Sequence, residues 1–530
     1  MSRMPSVMKH NFSEVPHADI QRSSFDRSHG YKTSFDAGYL IPVFVDEALP
    51  GDTFNCRMSA FGRLATPIHP IMDNLFVSSF FFAVPIRLIW DNWEKFNGAQ
   101  DNPADSTDFT VPIMTSTAST GYAEGSLHDY FGIPTAVPDM PHSSLWHRAY
   151  NLIWNEWFRD ENLQDSVVVD TDDGPDTPSD YVLLRRGKRH DYFTSSLPWP
   201  QKGDSVDLPL GSSAPITGLG YGGTDAFSAA GTIKTTGGID VSTGQWGEFG
   251  ATMSWRGLED PANTGYPLIQ ADLSSATAAT INQLRQAFQI QKMLERDARG
   301  GTRYTEVIKA HFGVTSPDAR LQRPEYLGGG TSPVNISQVA QTSSTDGTSP
   351  QGNLAAFGTA AFSGHGFTKS FTEHCVLIGM VSVRADLTYQ QGLNRMFSRS
   401  TRYDFYWPAL AHIGEQAVLN KEIYAVGSGG GATDDDVFGY QERFAEYRYK
   451  PSVVTGAFRS NAATTLDSWH LAQDFASLPA LNSSFIEDNP PVDRVIAVNT
   501  EPHMLWDSHF ELRCARPMPM YGVPGLIDHF

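Results

Sequence analysis

The feature that most constrains the fold of this sequence is a series of short apolar segments separated by turn-forming residues. In the N-terminal part these segments lie at residues 40–45, 53–61 and 75–85. Apolar runs of this length, bounded by Gly, Pro, Asn or Asp, are typical of β-strands. Three consecutive phenylalanines from Phe80 predict a strand buried on both faces. We expect it to end at Pro85, because proline cannot donate a hydrogen bond to a neighbouring strand.

Further segments of the same type follow in the C-terminal part of the chain. They lie at residues 375–383, 402–407, 417–426, 444–449, 494–498 and 509–514. Strands contributed by distant parts of a chain predict an antiparallel sandwich or barrel. We therefore expect a mainly β fold with few helices.

Helical periodicity is confined to three segments, at residues 145–158, 276–299 and 302–313. The first is rich in aromatic residues, at Trp146, Tyr150, Trp154, Trp157 and Phe158. Because Trp and Tyr contribute strongly to interface energetics, we predict that these side chains anchor contacts with another subunit.

Three regions lack large apolar residues or a regular period. Residues 1–30 are predicted to form an extended N-terminal arm. Residues 204–275 are rich in Gly, Ser and Thr and predict a large surface insertion. Residues 328–366 have a similar composition and predict a second flexible loop.

Composition limits the classes of function that the chain can have. Lys plus Arg total 39 and Asp plus Glu total 59, a formal net charge of −20 over 530 residues. Phosphate binding requires many Lys and Arg, so this balance argues against a protein that coats nucleic acid by bulk charge. Aromatic residues reach 12%, which excludes extensive disorder. The most apolar stretch, residues 75–86, is too short to span a bilayer and no signal peptide is recognisable, so we expect a cytosolic product.

No metal or cofactor is predicted. Cys56, Cys375 and Cys514 lie far apart and are expected to be buried thiols in a reducing compartment. Two acidic clusters could hold calcium, but neither has EF-hand spacing, and solvated loops are the better interpretation. The clusters are Asp170, Asp172, Asp173 and Asp176, and Asp434, Asp435 and Asp436. Six histidines lie among aromatic or strand residues, where structural hydrogen bonds are expected: His365, His374, His412, His470, His503 and His509.

A glycine-rich motif in the predicted insertion matches the dinucleotide-binding fingerprint by letter. Its glycines are Gly218, Gly220 and Gly223. Pro215 interrupts any preceding strand and no periodic helix follows, so the motif is interpreted as a flexible loop.

A basic stripe follows the second and third predicted helices. Its members, Lys292, Arg296, Arg299 and Arg303, step by four, three and four residues. On one helical face they could contact nucleic-acid phosphate. Salt bridges to Glu295, Asp297 or a neighbouring subunit are the alternative, which the net charge of −20 favours. Residues 402–407 could stack on single-stranded bases, although a strand core has the same composition.

Several long stretches keep their order over almost the whole chain and point to one family. They include LPWPQKGD at residues 197–204, GMVSVRADLTYQQGLNRMFSR at 379–399 and SWHLAQDF at 468–475, with longer stretches at 18–54, 65–93 and 284–329. These segments resemble the major capsid proteins of gokushoviruses, small icosahedral single-stranded DNA phages of the Microviridae. The less similar parts are residues 205–275 and 330–360.

The resemblance implies an eight-stranded antiparallel jelly roll (a viral β-sandwich) over residues 31–530, with long insertions between strands. It also implies a T=1 shell of sixty copies around single-stranded DNA, found in the virion and assembled in the cytoplasm of a bacterial host. Family members carry threefold protrusions, which map here to residues 204–275 and are expected to contact a host surface receptor. Candidate contact residues are Gly218, Gly220, Tyr221 and Gly223. A merely tolerated insertion is the structural alternative, because long loops carry little thermodynamic cost.

Charge adds a further expected partner. Sixty subunits at −20 each would sum to about −1200, so the shell cannot be the main neutraliser of the genome. We expect a small, highly basic DNA-binding packaging protein or polyamines to share that role, and the resemblance implies such a protein.

Two other classes of function remain open from the residues alone. A carbohydrate-active β-sandwich enzyme would need two carboxylates about 5–10 Å apart, and the lack of a signal peptide counts against it. A nucleic-acid-binding protein acting alone would show steeply salt-dependent DNA binding by the free subunit.

Overall fold

The computed structural model describes most of the chain and divides it into two compact units. The first unit comprises residues 1–200 and 300–530, and the second comprises residues 201–299. The described residues are 21–206, 281–315, 322–345, 347, 350–427 and 431–522, together with residue 262 and short strands between residues 216 and 271.

Two antiparallel sheets, of six and four described strands, dominate the first unit. Their strands are β1 (Ser23–Asp26), β2 (His29–Phe35), β3 (Ile41–Ala48), β4 (Thr53–Leu64), β5 (Leu75–Pro85), β6 (Glu325–Pro333), β7 (Asn335–Ala340), β8 (Leu354–Ser370), β9 (Cys375–Ala385) and β10 (Met504–Arg516). The first sheet has the order β1–β10–β4–β8–β7, with β2 also paired to β10, and the second has the order β6–β5–β9–β3. The predicted mainly β, antiparallel architecture is confirmed, whereas an eight-stranded jelly roll is not.

A hydrophobic core contains side chains from both sheets. Along β4 buried and exposed residues alternate, so Phe54, Cys56 and Met58 share the buried face. Phe81 of β5 packs edge-on against Phe44 of β3, with 5.9 Å between ring centroids, and both belong to this core.

The strand β5 is buried on both faces, as its phenylalanines predict. Phe82 belongs to a second core, which also includes Ala149 and Ile153 of helix α1 (Leu145–Ile153). The chain continues from α1 into a π-helical segment, Trp154–Phe158. The predicted helix at residues 145–158 is therefore confirmed, and one of its faces covers the second sheet.

Two further helices confirm the remaining helical predictions: α2 (Ile281–Arg299) in the second unit and α3 (Tyr304–Phe312) in the first. Four-residue helices lie at Trp93–Phe96, Leu127–Tyr130, Asn420–Ile423 and Ser483–Ile486. Short strands of the first unit lie at Ile113–Thr115, Pro141–Ser143, Thr388–Tyr389, Glu415–Leu419, Val437–Glu442 and Ser452–Val453. Those of the second unit lie at Ile216–Thr217, Leu219–Gly222, Ile233–Lys234, Asp240–Val241, Trp246–Glu248, Ser254–Gly257 and Gln270–Ala271. None of the described helices is long and apolar enough to cross a membrane.

The prediction of a flexible loop at residues 328–366 is wrong. Most of this segment lies in β6, β7 and β8, and β8 alone has 17 residues. Its small residues let strands approach closely. A Cβ on Gly366 would lie 2.0 Å from the carbonyl oxygen of Cys56, and one on Gly328 would lie 2.4 Å from that of Gly366. A composition that resembles a loop therefore reflects close contact between backbones.

Three predicted strands are wrong. Residues 402–407 and 444–449 contain instead the 3-10 helices Arg402–Asp404 and Ala445–Tyr447, and residues 494–498 begin at the last residue of the 3-10 helix Val492–Arg494. In the first of these, the Asp404 carboxylate accepts the backbone N–H groups of Ser400 and Thr401, which closes a turn. Such local hydrogen bonds compete with strand pairing. The strand predicted at 417–426 ends at Leu419, where a short helix begins.

The prediction of an extended N-terminal arm over residues 1–30 is wrong for residues 23–30. Residues 1–20 lie outside the described residues, but β1 and the start of β2 fall within the predicted range 1–30. Both pair with β10, and Phe25 lies opposite Cys514. Residues 23–30 therefore belong to the first sheet, because their backbone groups bond to the strand from the other end of the chain.

Candidate interaction surfaces

Two of the aromatic residues predicted to anchor subunit contacts, Tyr150 and Trp154, lie in the core of the chain. The Tyr150 hydroxyl donates to the Leu40 carbonyl oxygen at 2.9 Å and accepts from the Leu184 N–H at 3.1 Å. The Trp154 indole donates to the Arg185 carbonyl oxygen at 2.9 Å. Both side chains are buried, so an intermolecular role is wrong for these two. The physical reason is that their side of the helix is covered by the second sheet.

The other three aromatic residues remain accessible. Trp157 is exposed, and Trp146 and Phe158 are half-buried. The Trp157 indole donates to the Pro324 carbonyl oxygen at 2.9 Å, which fixes the ring at the surface. A contact with another subunit stays a prediction for these residues.

A cleft of about 480 Å³ opens beside Trp157, and we call it the basic cleft. Its aromatic residues are Phe80, Phe82, Trp157, Phe158 and Tyr326. Its cationic residues are Arg159, Arg186, Lys188, Arg189 and Arg384, with His190 beside them. Asp160 is the acidic residue that lines it. Five Lys and Arg beside one Asp make this concavity strongly basic, in a chain whose net charge is −20.

Three aromatic rings form one wall of the basic cleft. The Phe82 ring lies 5.5 Å from the ring of Trp157 and 5.5 Å from that of Tyr326, measured between centroids. Trp157 and Tyr326 are 6.2 Å apart and are 38% and 43% exposed. The wall therefore presents aromatic surface to solvent beside the cations.

Burial and mutual repulsion act on the cations of the basic cleft. Burial, together with the nearby Arg384, lowers the pKa of Arg186 to about 10. Burial also lowers the pKa of Arg384, and Arg189 adds to that effect. Within the described structure, Nη1 of Arg186 and Nε of Arg384 have no hydrogen-bond partner. Arg189 is paired with Asp386 at 3.0 Å. The buried carboxylate of Asp488 offsets part of the charge of Arg186, Lys188 and Arg384, so three cations share one carboxylate there.

Sequence reasoning missed this cleft, although part of its signal is visible. Residues 185–189 hold four Lys and Arg, and no other five-residue window of the sequence holds as many. The aromatic partners Phe82, Trp157 and Tyr326 come from remote segments. The basic run is recognisable in the sequence, but only the fold shows that it lies beside these aromatic side chains.

The predicted basic stripe is divided between the two units of the chain. Lys292, Arg296 and Arg299 lie on α2 in the second unit with exposed side chains. Arg303 lies in the first unit, where its guanidinium forms an ion pair with Glu161 at 2.8 Å. Arg303 therefore forms a salt bridge, as the alternative interpretation expected, but with Glu161 and not with Glu295 or Asp297. Nucleic-acid contact by the other three residues stays a prediction.

The acidic clusters considered as calcium sites make internal hydrogen bonds. Asp176 accepts from Nε of Arg148 at 2.7 Å, and Asp173 accepts from the Trp90 indole at 2.7 Å. Asp434 accepts two backbone N–H groups from the preceding loop. Among the described residues, no group of three or more His, Cys, Asp or Glu could hold a metal ion.

Three of the six histidines make the structural hydrogen bonds that were expected. Nδ1 of His365 lies 2.9 Å from Oγ of Ser79. Nε2 of His503 lies 2.8 Å from the Asp493 carboxylate, and Nε2 of His470 lies 2.6 Å from a backbone carbonyl oxygen. Each ring therefore joins separate segments of the first unit.

The three cysteines are buried free thiols, as predicted. Burial raises the pKa of Cys56 and of Cys375 to about 12. Their thiolate forms are thus suppressed at neutral pH, and these side chains act as small apolar residues.

The candidate host-contact residues are Gly218, Gly220, Tyr221 and Gly223. Gly218 and Gly223 lie outside the described residues. Gly220 and Tyr221 lie in the strand Leu219–Gly222, which pairs antiparallel with Ser254–Gly257. Their role in host contact stays a prediction.

An exposed aromatic patch lies on the first unit, formed by Tyr403, Phe405, Tyr406, Trp407 and Tyr447. The exposed fractions range from 42% for Trp407 to 65% for Tyr403. The Arg399 guanidinium lies over the rings of Phe405 and Tyr447, at 5.4 and 4.4 Å from their centroids. A strand core, one of the two interpretations of residues 402–407, is therefore wrong. Monomeric soluble proteins rarely expose large apolar patches without a partner.

Comparison with known proteins identifies the class of chain that carries these surfaces. The sequence profile of a phage family described as Capsid protein (F protein) matches residues 13–526. The chain belongs to this capsid protein family. It is 50% identical to capsid protein VP1 of Bdellovibrio phage phiMH2K, over 98% of both chains. It is 48% identical to VP1 of Chlamydia phage 1, over 99% of both, and 37% identical to VP1 of Spiroplasma virus 4, over 98% of this chain and 97% of the relative.

These relatives are capsid proteins of gokushovirus-type Microviridae, so the resemblance seen in the sequence is confirmed. The capsid subunit is a structural protein of the virion that assembles into a shell, and it is not an enzyme. The carbohydrate-active alternative is therefore wrong.

Proposed function

We propose that sixty copies of the capsid subunit form a T=1 icosahedral shell around a single-stranded DNA genome, in the cytoplasm of a bacterial host. The observation that carries this proposal is the similarity to capsid proteins over the full length of the chain. We also propose that the two sheets correspond to a viral jelly roll, extended by additional strands. Facing antiparallel sheets supply a rigid wall element, and long connections supply surfaces for neighbours.

Particle mass and nuclease sensitivity test this proposal directly. Sixty subunits of 58.3 kDa give a protein mass of about 3.5 MDa. We expect closed particles of that mass by analytical ultracentrifugation and electron microscopy. Their nucleic acid should resist nuclease until the shell is opened, and should then be degraded by a nuclease specific for single-stranded DNA. A subunit that stays monomeric at high concentration, or particles that hold RNA, would contradict the proposal.

The exposed aromatic patch is proposed as a contact between copies of the subunit. A capsid subunit covers its apolar surface with identical neighbours, and Tyr, Trp and Arg are the residues that contribute most at interface centres. Tyr403, Trp407 and the guanidinium of Arg399 supply these residue types within one segment. The occupant of the patch is therefore a second copy of this chain.

Charge balance supports a cationic partner inside the particle. The subunit carries −20, so the genome phosphates must be neutralised mainly by something else. We propose a small basic DNA-binding protein, or polyamines, as that partner. Mass spectrometry of washed, DNA-filled particles should detect one of these, and empty shells should contain much less of it.

We propose that residues 204–275 form a threefold protrusion that attaches to the host surface. The Gly-rich and Thr-rich composition supports this, because such a segment can vary without disturbing a core. Deletion of residues 205–275 should leave particles intact and abolish adsorption to host cells. If closed particles no longer form, the segment has an architectural role and the proposal is wrong.

A further inference from the structure

We propose that the basic cleft binds one nucleotide of the encapsidated single-stranded DNA, with the base against Trp157 and Tyr326 and the phosphate against Arg186 and Arg384. This inference rests on the proposed function, since it requires a single-stranded DNA genome inside the shell. It assigns to the genome a defined contact surface on the subunit. Without such a surface, the genome would be held in the shell only by overall charge.

The dimensions and the aromatic wall of the basic cleft fit a nucleotide. A volume of about 480 Å³ lies within the usual range of small-ligand pockets, about 300–1,000 Å³, and is far larger than a carboxylate group needs. Trp157 and Tyr326 are 38% and 43% exposed beside Phe82, so a base can reach their rings. Stacking on aromatic residues is the contact that single-stranded DNA makes without regard to sequence.

The charges of the basic cleft call for an anion. Arg186, Lys188 and Arg384 line the cleft together, and the one carboxylate that all three share is the buried Asp488. The repulsion among these cations would be relieved by a phosphate, whose oxygens match the planar donors of arginine. In a chain of net charge −20, cations are concentrated here against the overall trend. Aromatic rings and unbalanced cations on one concave surface are the two components of a binding site for single strands.

Ultraviolet crosslinking of intact particles tests the inference. Purified DNA-filled particles are irradiated, digested with nuclease and protease, and examined by mass spectrometry for peptides that carry a nucleotide. In the wild-type particle we expect adducts on peptides that contain Trp157 or Tyr326. In the double variant Arg186→Gln/Arg384→Gln these adducts should fall about tenfold, because the variant removes the charge-assisted hydrogen bonds to the phosphate. The matched control Arg57→Gln/Arg63→Gln removes two exposed charges from β4 and should leave the adducts unchanged.

The possible outcomes separate this inference from the proposed function. Wild-type particles that contain single-stranded DNA but form adducts only elsewhere would overturn the inference and leave the proposed function standing. Particles without such DNA would overturn the proposed function itself. If the double variant fails to assemble, the adduct map of the wild-type particle decides. A zero-length carbodiimide crosslink between the partly exposed Asp160 of the cleft and a lysine of a neighbouring copy would assign the cleft to a second subunit, and would also overturn the inference.

Discussion

Among single residues, Arg148 illustrates how the acidic segment near residue 176 is held. Arg148 and Asp176 are both fully buried, and Nε of the arginine donates to Asp176 at 2.7 Å. Its Nη1 also donates to the Ile89 carbonyl oxygen at 3.0 Å. Arg148→Met would leave a buried carboxylate without its cation, so we expect a loss of about 3–5 kcal/mol in the free energy of unfolding. Urea denaturation of unassembled subunits measures this, and the exposed Arg63→Gln should change it by less than about 0.5 kcal/mol.

Residue-scale prediction from the sequence succeeded where spacing alone was sufficient and failed where burial mattered. Helical spacing located the aromatic residues of α1 and of the π-helical segment after it correctly. It did not reveal that Tyr150 and Trp154 point at the second sheet, because five aromatics cover more than one face of the helix. The basic run that contains Arg186 can be seen in the sequence. Two of the aromatic residues beside it in the cleft, Phe82 and Tyr326, are each more than one hundred positions away. Such pairings depend on the fold.

Among elements, the strand pairing of β8 with β4 depends on the absence of a side chain at Gly366. A Cβ there would lie 2.0 Å from the Cys56 carbonyl oxygen. We expect Gly366→Ala to cost about 1–3 kcal/mol of unfolding free energy, because neighbouring strands would have to separate. Gly347→Ala is the matched control, since its Cβ would meet nothing within 4 Å. Equal thermal midpoints for the two variants would refute the close-packing explanation. Composition alone could not have distinguished this strand from a loop.

The contact between the helix Leu127–Tyr130 and α1 predicts a response to acid. Nδ1 of His128 lies 2.9 Å from Nε2 of His147, and both rings are buried. Burial lowers the pKa of His128 to about 4, from an ordinary value of 6.5, and lowers that of His147 well below it. Between about pH 4 and pH 6.5 the unfolded chain therefore binds more protons than the folded chain does. Stability is full above pH 6.5 and falls as the pH drops towards 4.

For His128 this amounts to about 2 kcal/mol between pH 6.5 and pH 5. We expect the thermal midpoint of unassembled subunits to fall over that range. In His128→Gln/His147→Gln the fall should be smaller, whatever the starting stability at neutral pH. A variant whose midpoint follows pH as steeply as the wild type would show that other groups cause the effect.

For the whole molecule, the order of long sequence segments was enough to predict the family and the antiparallel architecture. The strands β5, β9 and β10 follow from short apolar runs in the sequence. The pairing of β1 and β2 with β10 joins residues separated by nearly the full chain, which no local pattern reports. The exposed aromatic patch was mistaken for a strand for a related reason. A core and an interface between subunits contain the same residue types. The two differ in whether the side chains are buried within the isolated chain or exposed on its surface.

That distinction leads to a prediction for assembly. Phe405 in the aromatic patch and Phe61 on β4 are 51% and 52% exposed, so their removal should affect the isolated subunit equally little. If the patch is covered by a second copy, Phe405→Ala loses about 1–2 kcal/mol at every repeated contact. The concentration needed for particle formation, measured by sedimentation, should then rise about tenfold or more, while Phe61→Ala should assemble like the wild type. Similar assembly of both variants, with unchanged subunit stability, would place the contacts between copies elsewhere on the surface.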